Sequence, residues 1–152
     1  MPGYLRILWA YRQASDHSAA PVAGFSQIRA ISLTRDGRTL YAANSGSNAI
    51  AVVELATGKI FRIINVGRDP DGATLAADER HLLTASKMDG TLDIVDLAAG
   101  RIERSLSGFD ETRQALAYSR DGKTAYVLDK NVRLSAVELS EGRITRTYQP
   151  VL

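Results

Sequence analysis

The chain has 152 residues, 45% hydrophobic and 24% charged, the composition of a folded globular protein with a sizeable core. Its 19 basic and 17 acidic residues leave a net charge of +2, and the arginines are scattered among acids, so the clustered basic stripe of a nucleic-acid reader is missing. With no cysteine there is no disulfide, thiolate metal site or cysteine nucleophile, and no apolar run approaches the ~18 residues of a membrane-spanning helix.

Met1–Arg12 does not read as a secretory signal, because its short apolar stretch is broken by Arg6. That leaves the compartment unassigned. Residues 1–27 read as an irregular leader, in which Ile7–Gln13 has strand character and Pro21 and Gly24 break the regularity of the second part. From Ile28 a strand alternation sets in up to Thr34. Arg35-Asp36-Gly37-Arg38 is a hairpin signal, since glycine accepts positive φ. Further strands are expected over Thr39–Ala43, Ala49–Leu55 and Ile60–Val66, separated by Asn44–Asn48 and Ala56–Lys59.

The plan then recurs. The second unit has strands at Ala73–Ala77, His81–Ala85, Thr91–Leu97 and Arg101–Leu106; the third at Gln114–Ser119, Thr124–Leu128, Arg133–Leu139 and Arg143–Tyr148. Landmarks return every 42 or 43 residues: Asp36, Asp78 and Asp121; Leu55, Leu97 and Leu139; Gly58, Gly100 and Gly142. A fixed period of this length marks a repeat architecture whose units bury their apolar faces only by stacking. Four short antiparallel strands per unit make an all-β chain of β-propeller blades. The repeats are bounded as 28–66, 73–107 and 114–149. If residues 1–27 hold a degraded half-blade, the chain is a partial propeller of about three to three and a half blades.

Asp36-Gly37-Arg38-Thr39-Leu40-Tyr41-Ala42-Ala43-Asn44 resembles the signature of the YVTN-family propeller repeats, and Asn48 through Gly58 continues the pattern. The third unit keeps Asp121-Gly122-Lys123-Thr124-Ala125-Tyr126-Val127, whereas the middle one has Glu79 for Gly and Leu83 for Tyr. Asp89 through Asp96 is also similar to a WD repeat, with Val95 where its Trp would stand. The resemblance implies a bacterial repeat protein, periplasmic or at the cell surface if a leader precedes this sequence. Relatives of the family include lactonases and haem-binding propeller domains.

Propellers close with about four to eight blades. Three completions are open: a longer chain, which the reading favours; a second copy closing a seven-bladed ring; or another protein supplying the remaining blades. The partner expected is therefore a protein or a second copy.

Site chemistry does not repeat with the framework. The loops between second and third strands and between blades share one face and vary most, which makes them the place for binding residues. The candidates there are Asn44, Asn48, Arg68, Asp69, Asp71, Lys87, Asp89, Arg113 and Lys130. Asp69 and Asp71 flank Pro70 before Gly72, a spacing compatible with calcium, but the plainer reading is a turn between blades. Glu54, Asp96 and Glu138 recur with the framework and read as turn-holding residues rather than an acid–base pair. His17 and His81 read as solvated, and neither a metal nor a cofactor is expected. The sequence holds no nucleophile elbow, Walker loop, dinucleotide fingerprint or zincin motif. A non-catalytic module binding a protein or other ligand through its loop face is expected. The alternative is a lactonase-like hydrolase acting through Arg68, Asp69, Asp71 and Arg113.

Overall fold

The computed structural model describes residues 27–109 and 112–149, with residues 112–115 described by backbone alone. The leader expected over residues 1–27 lies outside this range but for its last residue. Twelve strands form three four-stranded antiparallel sheets, each in simple sequence order. The first contains β1 (Ile28–Leu33), β2 (Thr39–Asn44), β3 (Ala49–Glu54) and β4 (Lys59–Asn65). The second contains β5 (Thr74–Leu75), β6 (His81–Ser86), β7 (Thr91–Asp96) and β8 (Arg101–Ser107). The third contains β9 (Thr112–Tyr118), β10 (Thr124–Asp129), β11 (Leu134–Glu138) and β12 (Arg143–Tyr148).

Alternation along the middle strands sends apolar side chains to both faces of each sheet, so a sheet buries them only between two neighbours. Tyr41, Ala43, Ile50, Val52 and Ile64 of the first sheet pack against Ala73, Leu82 and Val95 of the second. The opposite face of the second sheet, with Leu83, Leu92, Ile94 and Leu106, packs against Ala125, Val127 and Val137 of the third. The two interfaces use equivalent residues: 41, 50, 52 and 64 become 83, 92, 94 and 106. The first strands of neighbouring sheets touch, and the fourth strands are largely exposed. This is an arc of three propeller blades.

Small departures from the expected strands have local causes. β5 shrinks to two residues because the chain before it runs through Pro70, which makes an isolated bridge to Ser86 and has no N–H to donate to a ladder. A bulge recurs between the third and fourth strands of every sheet, at Val52/Val53, Ile94/Val95 and Ala136/Val137. Glu79, standing where the other two hairpin turns have glycine, takes φ 55° and accepts a hydrogen bond from the Arg35 N–H of the neighbouring blade.

Candidate functional site

The loops Ser45–Asn48, Lys87–Gly90 and Lys130–Arg133 join second to third strands, and they share one end of the arc with the connections between sheets. Three buried polar residues at equivalent positions, Asn44, Ser86 and Asp129, end the second strands and anchor this face. The Asn44 side-chain oxygen accepts from the Gln27 and Gly46 N–H groups at 3.3 and 3.1 Å, and its amide donates to Ser47 Oγ at 2.9 Å. Asp129 accepts from the Asn131 and Arg133 N–H groups at 2.9 and 3.0 Å, and from Arg133 Nε at 2.8 Å. Ser86 Oγ donates to Asp93 Oδ2 at 2.8 Å. Asp93, 1% exposed, also accepts from Ser105 Oγ at 2.5 Å and from the Gly67 N–H at 3.0 Å.

The connection from the first to the second sheet is threaded through this frame. Asn48 Oδ1 accepts the Asp69 N–H at 2.9 Å. Asp89 takes the Arg68 N–H at 2.7 Å and Arg68 Nε at 2.6 Å. The backbone donor first, and the guanidinium second, hold the Asp89 carboxyl below the ordinary carboxylate range. Lys87 N–H donates to the Asp69 carbonyl at 3.0 Å, and Asp71 N–H to that of Ala85 at 2.8 Å. Asn48, Arg68, Asp69, Lys87 and Asp89 are thus brought together. Asn44 sits beneath the surface, Lys130 lies exposed on the third loop, and Asp71 is half-buried. The side chain of Arg113 lies outside the described residues.

Two loop-face residues escaped the sequence reading: Met88 is 67% exposed and Val132 is 53% exposed. Val132 has φ 61°, at the position where the other loops place Asn48 (φ 54°) and Gly90 (φ 63°). Positive φ is costly for a β-branched residue. The loop face therefore combines a pinned backbone with exposed apolar tips among charged side chains.

At the opposite end the recurring carboxylates hold turns. Glu54 accepts from Thr57 Oγ1 at 2.7 Å, Asp96 from the Ala99 N–H at 2.9 Å, and Glu138 from Ser140 Oγ at 3.1 Å. His81 is partly exposed and sits between two carboxylates, with Nδ1 2.8 Å from Asp78 Oδ2 and Nε2 3.4 Å from Glu103 Oε2. It lines a cleft of about 320 Å³ between the second and third sheets, with Tyr118 and Arg104. The Tyr118 hydroxyl is buried without a partner, and burial pushes its phenol well above the ordinary range. His81 and the Arg68–Asp89 pair thus lie at opposite ends of the second sheet. Among the described residues, no three His, Cys, Asp or Glu side chains gather as a metal-binding set, and no helix is long and apolar enough to cross a membrane.

No protein-family model matches the chain. No curated protein matches it in sequence. Solved structures do match in fold. A hydrazine synthase of Kuenenia stuttgartiensis superposes with a TM-score of 0.76 at 19% identity, over 86% of this chain and 38% of that one. U3-55K superposes at 0.72 with 14% identity over 80% and 39%, and the WD40 repeats of RRP9 at 0.71 with 14% identity over 80% and 38%. The likeness establishes the propeller fold. The chain spans about two fifths of the length of these structures.

Proposed function

We propose that the chain is a non-catalytic propeller module that binds a protein partner through its loop face, built of YVTN-type repeats over 28–66, 73–107 and 114–149. Residues 1–27 would form an irregular leader or a degraded half-blade ahead of them. The observation that carries this reading is the pairing of a pinned loop backbone with exposed Met88 and Val132 beside Arg68, Lys87 and Lys130. Preorganised loops lose little entropy on binding, and exposed apolar groups among charges provide both contact area and register. The propeller neighbours with WD40 repeats support an interaction role at the level of fold.

The test compares proteins captured from a native extract by the wild-type chain, by a Lys87→Glu/Met88→Asp variant, and by Arg120→Glu at the turn end. A species lost with the loop-face variant and retained with Arg120→Glu is the expected result. Equal capture by all three would overturn the loop face as the site. Lactone turnover that disappears in Asp71→Asn would overturn the non-catalytic reading.

A further inference from the structure

At the end that carries the hairpin turns, the junction between the second and third sheets departs from the junction between the first and second. The two compare position by position, because Thr34, Ala76 and Ser119 make the same backbone bonds. Their carbonyls accept from Gly37, Glu79 and Gly122, and their N–H groups donate to Thr39, His81 and Thr124. At the first junction the gap is closed. Glu79 accepts from the Arg35 N–H, and the Arg35 guanidinium reaches the Ala77 carbonyl at 3.4 Å. At the second junction the same two positions are Ala77 and Gly122, and a Cβ on Gly122 would meet nothing within 4 Å. The closing pair is gone, and the cleft of about 320 Å³ opens in its place.

Three further replacements make the walls of this cleft polar. His81 stands where the first sheet has Thr39, Glu103 where it has Phe61, and Tyr118 where the second sheet has Leu75. Ala76, Ile94 and Leu139 keep the remainder apolar. The Tyr118 hydroxyl, in the wall, is buried with no hydrogen-bond partner among the described residues, a deficit that a bound polar group offsets. Apolar walls with a few placed polar groups are the make-up of a small-molecule site.

The His81 ring defines the charge that fits. Its Nδ1 lies against Asp78 and its Nε2 against Glu103. A neutral imidazole has a single N–H. When Asp78 takes it, the Nε2 lone pair faces the Glu103 carboxylate, two acceptors with no proton between them. One positive donor satisfies both: a second proton on His81, or the head of a cationic ligand. The Arg104 guanidinium is engaged elsewhere, donating to the carbonyls of Leu139 and Ser140 at 3.2 and 3.0 Å. With His81 neutral, two carboxylates, Asp78 and Glu103, stand against one guanidinium, and the cleft is negative.

We propose that this cleft binds a small organic cation, a primary ammonium compound with an apolar body. The ammonium donates to Glu103 and to His81 Nε2, and the body lies against Ile94 and Leu139, with the Tyr118 hydroxyl as the remaining polar group for a ligand atom to satisfy. The cleft and the loop face lie at opposite ends of the second sheet, so the proposal stands or falls independently of the protein-binding role.

Isothermal titration calorimetry of the full chain with phenethylammonium, hydrocinnamate and phenethyl alcohol presents a cation, an anion and a neutral group on similar skeletons. The ammonium is expected to bind at least tenfold more tightly than the other two. Glu103→Gln weakens it about tenfold to a hundredfold, the range of a hydrogen bond to a charged group, and Lys59→Gln, exposed on the first sheet, leaves it unchanged. Ala77→Arg/Gly122→Glu rebuilds the closing pair of the first junction and abolishes binding; Glu79 already holds φ 55° at the equivalent turn position. No binding of phenethylammonium at millimolar concentration, or equal binding of the three probes, would overturn the proposal. So would an affinity indifferent to Glu103→Gln, a substitution on an exposed side chain whose effect does not depend on Ala77→Arg/Gly122→Glu folding.

Discussion

The Asp93 carboxylate is enclosed by Ser86, Ser105 and the Gly67 N–H, and it ties together β6, β7, β8 and the loop leading in from the first sheet. Asp93→Ala strands the buried Ser86 hydroxyl and removes two further hydrogen bonds, and urea unfolding should show a loss of about 3 kcal/mol. Val132 presents the opposite case. Its φ of 61° is held by the turn that Asp129 caps, so Val132→Gly should raise stability by about 1 kcal/mol in the same assay. Gly90→Ala should lower it, because the new methyl would meet the Phe109 carbonyl at 2.6 Å.

At the scale of the element, the hairpin turns are held by carboxylates whose protonation is depressed. Asp36 accepts from the Thr34 hydroxyl and then the Arg38 N–H, Asp121 from the Ser119 hydroxyl and then the Lys123 N–H, and Asp96 chiefly from the Ala99 N–H. Each folded-state value lies below the ordinary 3.8. A depressed carboxylate contributes stability above its unfolded value and loses it as pH falls through the folded one. The unfolding midpoint should therefore hold steady from pH 7 to about 5 and decline below about 4, with a shallower decline in Asp121→Asn. The strands themselves were legible in the sequence, because Asp-Gly turns and alternating Ile, Val and Leu are decided locally. Two features were less so. β5 is clipped by the bridging of Pro70, which depends on Ser86 sixteen positions on. Arg62 and Arg104 donate to carbonyls in a turn of the next sheet, which leave no mark in residue type, so only their spacing of 42 residues betrays them.

At the scale of the whole molecule, the chain separates two tasks. Recurring residues join blade to blade, and the non-recurring ones gather at the loop end. The sequence pattern located that end because variable loops lie between constant strands, and it named Arg68, Asp69, Asp89 and Asn48, which the fold clusters. It also nominated Asn44, whose side chain is buried in the loop base, since a turn-forming Asn looks alike whether it faces solvent or core. Met88 and Val132 were missed because a single exposed apolar residue has no periodicity to reveal it.

This division of labour is tested most directly by urea unfolding of Arg62→Ala and Met88→Asp beside the wild type. Arg62→Ala removes three hydrogen bonds to the carbonyls of Leu97, Ala98 and Ala99 in the second sheet and should cost about 2 kcal/mol, whereas Met88→Asp, on an exposed loop tip, should stay within about 0.5 kcal/mol. A neutral Arg62→Ala, or a Met88→Asp that unfolds the protein, would contradict the account.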